Sequence, residues 1–274
     1  MVYELKDTDF EKIRRLVYEQ CGINLHEGKK ELVKARLGKR LRQGNFRSFA
    51  DYYRYVTTEE GVSEFVAMID SLSTNLTSFF REDSHFRKLS EIVPDIIKTT
   101  NNGHRRPKLR VWSAGCSTGE EPYSIAIILS ELVNGNNIDM KILATDISTK
   151  VLKTAVDGIY PKERVKNIPA QLLRKYFQIG QKAWSGHYRV KRELRDIVKF
   201  MRFNLMKDPQ FNDDFEIIFC RNVMIYFDRV TQNNLVNRFY DRLKKGGYLF
   251  IGHSESLTGL THRFKFIEPS IYRK

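Results

Sequence analysis

The chain has 274 residues, 41% of them hydrophobic and 29% charged, a length and balance that suit one large or two smaller folded domains. No apolar run approaches a membrane span, and Met1 to Phe10 is polar and acidic rather than signal-like. Three widely spaced cysteines, Cys21, Cys116 and Cys220, argue against a disulfide scaffold or zinc motif and fit reduced thiols in a cytoplasmic protein, while the net charge of +14 calls for an acidic partner.

Residues 1–90 read as wholly helical. Phe10, Ile13, Leu16 and Val17 recur at helical spacing, as do Leu32, Ala35, Leu37 and Leu41, then Phe65, Met68, Ile69 and Leu72, with Phe86 and Leu89 opening a further helix. The second run lies in a basic stretch, 29–54, that holds nine Lys or Arg against two acids, Glu31 and Asp51. Arg36 and Arg40, four residues apart, share a face there. Such a stretch is a docking surface for something acidic or a solvated helical face. Ser73 to Glu82 groups Asn75, Thr77 and Arg81, by default a loop with a helix cap, around Phe79 and Phe80, which read as core rather than as a stacking platform. Residues 91–107 are expected to be a linker, ending in the polar Gly- and Pro-containing run Asn101 to Pro107.

Beyond Pro107 strands and helices alternate, the pattern of a parallel sheet covered on both faces. Strands are expected at Leu109–Trp112, Met140–Thr145, Val198–Asn204, Glu216–Cys220 and Tyr248–Gly252. Helices are expected at Glu121–Leu132, Thr149–Val156 and Arg229–Leu243, the last stopped by Gly246-Gly247. A small antiparallel β insertion is expected at about 177–200.

The first strand runs into a turn of small residues, Ser113 to Gly119, and then a helix that opens with Glu120 and Glu121. The dinucleotide fingerprint and the P-loop lysine are both missing. Two carboxylates at this point repel a pyrophosphate and favour a cationic nucleoside such as S-adenosylmethionine. Asp146 closes the second strand, where an acidic residue commonly takes ribose hydroxyls; a helix N-cap is its other reading. Cys220 to Phe227 follows the fourth strand and places Arg221, Asn222 and Tyr226 on the rim where ligands bind, although Tyr226 also suits an ordinary half-buried position. His253 has no nucleophile partner and reads as structural. No metal-ligand spacing is present.

Five blocks, Thr74 to Glu82 (T-N-L-T-S-F-F-R-E), Arg110 to Ala126, Ala144 to Ile147 (A-T-D-I), Phe219 to Phe227 (F-C-R-N-V-M-I-Y-F) and Gly252 to Glu255 (G-H-S-E), closely resemble the bacterial chemotaxis receptor methyltransferase family. They come in the family's order and span nearly the whole chain. The resemblance implies an α/β class: an all-helical N-terminal domain (1–90), then a Rossmann-like class I methyltransferase domain (108–274) with the antiparallel insertion. It implies S-adenosylmethionine as cofactor and a glutamate O-methyltransferase acting on methyl-accepting chemoreceptors. Asn75, Thr77 and Arg81 would reach the cofactor, Glu121 rather than Glu120 would face its methionine end, and Asp146 would hold the ribose. Asn204 with Leu205, and Arg221 with Asn222, would line the pocket partly through backbone atoms, and Arg81 and Tyr226 would stand near the transferred methyl as catalytic groups. The basic stretch with Arg36 and Arg40 would dock on an acidic receptor bundle, and the loop 178–187 would receive a receptor tether. The protein is expected to act as a monomer. Two rivals from other classes are a nucleic-acid methyltransferase, which would explain the charge but for which no nucleobase-catalytic motif is found, and a non-catalytic cofactor-binding regulator.

Overall fold

Apolar spacing and local caps account for the amino-terminal helices. In the computed structural model, which describes residues 3–73, 75–100, 106–133, 138–209, 211 and 214–274, α1 spans Asp7–Cys21, α2 Lys30–Gln43, α3 Phe49–Val56 and α4 Val62–Leu72. Gly22 ends α1 in the left-handed conformation, and the Ser48 hydroxyl accepts from the Asp51 amide to start α3. Phe10, Ile13 and Val17 of α1 meet Val33, Leu37 and Leu41 of α2 in one buried cluster with Met68 and Leu72. The buried row of α2 therefore runs through Val33, and the expected Ala35 is exposed. The basic stretch is two helices, α2 and α3, separated at 44–48, rather than one.

The helix α5 (Asp83–Thr100) continues through the expected domain boundary at residue 90 and through most of the expected 91–107 linker. Its Phe86, Leu89 and Val93 pack with Val111 and Ile127 of the sheet domain, so apolar burial carries the helix onward. Residues 101–105 of that linker lie outside the described residues.

The remaining elements follow in order: β1 (Lys108–Ala114), α6 (Glu120–Leu132), β2 (Asp139–Asp146), α7 (Thr149–Asp157), β3 (Ile159–Pro161), α8 (Lys162–Val165), α9 (Ala170–Tyr176), β4 (Phe177–Ile179), β5 (His187–Val190), α10 (Arg192–Arg195), β6 (Val198–Arg202), β7 (Phe215–Cys220), α11 (Arg229–Arg242), β8 (Leu243–Ile251), β9 (Lys265–Glu268) and β10 (Ile271–Arg273). Seven strands form one sheet in the order β6-β2-β1-β7-β8-β10-β9. The first five are parallel, and β10 and β9 add antiparallel at one edge. One face carries α5 and α6; on the other, Trp112 is ringed by Phe203, Phe211, Phe215 and Phe239 of α11.

Two expectations need correction here. The insertion is the three-stranded sheet β3-β5-β4, which begins at Ile159 and ends at Val190, not about 177–200. Val198 to Arg202 belongs to the main sheet, and β3 is too short and proline-ended to show an alternating pattern. Gly246-Gly247 does not stop α11: the helix ends at Arg242, and the glycines lie inside β8 where its pairing with β7 shifts register.

Candidate active site

Strand order reverses around β1, which lies between β2 and β7, and a cleft opens at the carboxyl ends of these strands, as expected for an open α/β sheet. The empty space in it, open mouth included, is about 1040 Å³. The turn after β1 makes the floor. Gly115 and Gly119 both have positive φ, and a Cβ on Gly115 would come within 2.3 Å of Val223 Cγ2, so only glycine fits there. Ser117 also sits in the left-handed region (φ 49°), and its hydroxyl donates to the Asn75 carbonyl at 3.1 Å. That bond draws the 75–82 segment over the turn.

Asp146 stands at the end of β2, nine-tenths buried. Its two carboxylate oxygens accept from the Ser117 and Ser148 amides, each at 2.9 Å. Burial pushes its pKa up, and those amide bonds oppose the rise. The N-cap of α7 is Ser148, whose hydroxyl accepts from the Val151 amide, so Asp146 is not the helix cap. Each oxygen keeps a lone pair for a further donor.

Glu121 lines the cleft and Glu120 does not. The Glu121 carboxylate accepts from Ser113 Oγ at 2.7 Å and lies 3.3 Å from Arg221 Nη1. Burial raises its pKa against the attraction of Arg221. Glu120 is fully buried and paired instead with Arg164 at 2.8 Å, with Thr118 Oγ1 donating to it at 2.6 Å.

Asn75, Thr77 and Arg81 reach the cleft from the segment before α5, and Asn204, Leu205, Asn222 and Tyr226 from the ends of β6 and β7. Phe79 is core, edge-on to Tyr160 and Phe177. Two side chains are engaged elsewhere. The Asn204 amide donates to the Gln20 carbonyl at the end of α1 (2.6 Å), although the residue also lines the cleft. The Arg221 guanidinium is buried and binds Glu82 Oε2 (3.0 Å), Glu121 and the Arg81 carbonyl. It ties the 75–82 segment to the end of β7.

The sequence reading missed two carboxylates that organise this rim. Burial alone would raise the pKa of Glu82, but the charge and hydrogen bonds of Arg221 outweigh it and hold the group below its ordinary value. Glu255 accepts from the amides of Gly252 (2.6 Å), Asn222 (2.9 Å), Val223 (3.0 Å) and Ile225 (3.2 Å), fixing the short turn that presents Tyr226. Cys21 and Ile23, at the end of α1, also wall the cleft. Burial raises the Cys21 thiol to about 12, so it is no nucleophile at neutral pH.

Residues 75–273 match the family described as CheR methyltransferase, SAM binding domain, and residues 8–73 match CheR methyltransferase, all-alpha domain. The chain is 43% identical over 270 residues to a chemotaxis protein methyltransferase of Borreliella burgdorferi, covering 97% of this chain and 94% of that one. It is 40% identical over 269 residues to the chemotaxis protein methyltransferase of Escherichia coli, covering 98% and 91%.

The chain belongs to the CheR methyltransferase family.

This CheR-family protein is thus an S-adenosylmethionine-dependent methyltransferase, with its helical domain and its cofactor domain meeting at the cleft. Among the described residues, no helix is long and apolar enough to cross a membrane. The cleft suits the cofactor: Glu121 and Asp146 line it, and of the two arginines beside them Arg221 is already paired with Glu82 and Glu121, which leaves carboxylates for a sulfonium and an ammonium.

Proposed function

We propose that the protein transfers a methyl group to the side-chain carboxylate of glutamates on a cytoplasmic, methyl-accepting chemoreceptor domain, giving a methyl ester and S-adenosylhomocysteine. The observation that carries this is the joining, in one cleft, of Asp146 at the end of β2 and Glu121 in the first turn of α6 with Arg81 and Tyr226 from two other segments. When bound, S-adenosylmethionine supplies an electrophilic methyl group on a positively charged sulfur. A substrate glutamate, with an ordinary pKa of about 4.3, is already ionised near neutral pH. No general base is required. In the transfer one carboxylate oxygen would bond to the methyl carbon as the carbon–sulfur bond breaks, its electron pair staying on sulfur.

The protein's part is alignment and removal of water. Asp146 would accept from the ribose hydroxyls, and Glu121 would face the cationic methionine end. Asn75 and Thr77 would lie against the cofactor, and Asn204, Leu205, Arg221 and Asn222 would line its pocket. Arg81, whose Nη1 donates to the Leu76 carbonyl at 2.7 Å, keeps donors with which to orient the incoming carboxylate. The Tyr226 hydroxyl donates beside it.

The enzyme docks as a monomer through the basic stretch 29–54. Arg36 and Arg40 do not serve as the expected contacts. Arg36 donates to the Leu72 and Ser73 carbonyls at 2.7 and 3.1 Å, and Arg40 pairs with Glu64. The exposed Lys39, Arg42 and Arg47 are the groups offered to an acidic receptor bundle. A second contact is the β3-β5-β4 sheet, where exposed Ile179 and Trp184 border a groove with Tyr188 that receives an extended receptor tether.

The test is incubation with labelled S-adenosylmethionine and membranes carrying the chemoreceptors of the same cell. Alkali-labile label on receptor supports the assignment. Label confined to nucleic acid, or none on receptor, overturns it.

A further inference from the structure

We propose that Glu82, His85 and His253 form a binding site for a divalent transition-metal ion of the zinc type, on the side of Arg221 away from the methyl-transfer cleft. The three come from two elements far apart in sequence. Glu82 and His85 flank the first turn of α5, and His253 follows β8. One ligand atom from each lies within 4.8 Å of the other two. Glu82 Oε2 is 3.4 Å from His85 Nδ1 and 4.0 Å from His253 Nε2. Neighbouring ligands in a tetrahedral shell with metal–ligand bonds of about 2.0–2.2 Å sit about 3.3–3.6 Å apart, so a rotation of the half-exposed His253 that exchanges its Ser84 Oγ contact (3.1 Å) for the ion completes the set.

An independent observation comes from His85 itself. The ring is 1% exposed, and among the described residues neither nitrogen makes a hydrogen bond, Nδ1 having only the Glu82 carboxylate at 3.4 Å beside it. Buried polar nitrogens without partners are uncommon and costly, and a metal bond removes that cost for one of them.

Two imidazoles and one carboxylate select a borderline cation such as Zn²⁺ over Ca²⁺ or Mg²⁺. Glu82 is already oriented by Arg221 Nη2 at 3.0 Å and the His253 amide at 3.2 Å, as ligating carboxylates generally are. The guanidinium also repels a dication and keeps the site weaker than a closed structural zinc site. Solvent reaches the fourth position through a surface cleft lined by Ser84, Lys88 and Glu268. A bound ion would fasten the start of α5 to the loop after β8, the two segments that enclose Arg221.

The experiment is titration of the chelator-treated full chain with Co²⁺, read by visible d–d absorption and by thermal melting. Wild type is expected to show a saturable band at one equivalent and a raised Tm. His253→Ala, at a half-exposed position, should bind at least tenfold more weakly and lose the Tm rise, and His85→Gln should do the same if it folds. His26→Ala, on the remote helical domain, should bind like wild type. No saturable band in wild type, or the same affinity and Tm rise in folded His253→Ala, overturns the proposal.

Discussion

Asp146 and Glu255 show how differently two buried carboxylates can be read. Asp146 ends a strand in a recognisable place, where position offers a ribose contact or a helix cap, and the cap belongs to Ser148. Its neutral isostere separates the ribose contact from the turn: Asp146→Asn keeps one acceptor for the Ser117 or Ser148 amide. Affinity for S-adenosylhomocysteine should fall about 10- to 100-fold, since charge-assisted bonds contribute about 1.5–3 kcal/mol. Calorimetric titration reads this directly, and unchanged affinity would leave Asp146 with only the turn to hold. Tyr226→Phe should bind the same product normally while turning over about tenfold more slowly, a loss of about 1.4 kcal/mol in the transition state. Full activity in that variant would remove the hydroxyl from the mechanism. Glu82 and Glu255 were not legible, because their partners Arg221 and the 222–225 amides are brought to them only by the fold.

At the scale of elements, the parallel strands could be read from continuous apolar runs bounded by turns. The pair β9 and β10 could not: Lys265 to Glu268 is short, edge-placed and mostly exposed, so no buried face marks it. The length of α5 escaped too, because the polar run Asn101 to Pro107 marked a linker and nothing before it showed where the helix ends. Glu255 is the clearest structural dependence at this scale. Glu255→Ala strands four backbone amides and should lower stability by about 2 kcal/mol or more. The turn carrying Tyr226 should loosen with it, so turnover should drop further than cofactor affinity does. A stable variant with wild-type turnover would show that the turn holds without this anchor.

Across the whole molecule the helical domain is part of the site. The Asn24 amide donates to the Tyr226 carbonyl at 2.8 Å, and Tyr18 donates to Asp228 at 2.6 Å, so the end of α1 braces the Tyr226 segment. The net charge of +14 is the other global feature. The sequence located its densest stretch but not which side chains face outward, since only packing reveals that Arg40 is paired with Glu64. Replacing Arg36 and Arg40 should therefore destabilise the helical domain. The double reversal Lys39→Glu with Arg42→Glu should instead slow receptor methylation, leave cofactor affinity intact and flatten the dependence of rate on salt. Equal rates and salt slopes in the two proteins would return the stretch to a solvated face.

The central claim is the chemistry at the acceptor carboxylate, and mapping the transferred methyl tests it most directly. Purified receptor cytoplasmic domain would be incubated with enzyme and methyl-labelled S-adenosylmethionine, digested, and its peptides sequenced by mass spectrometry before and after mild alkali. The account predicts a methyl group on glutamate side chains, released as methanol by the alkali. An alkali-stable methyl on nitrogen, or an unmodified receptor with fully cofactor-competent enzyme, would contradict it.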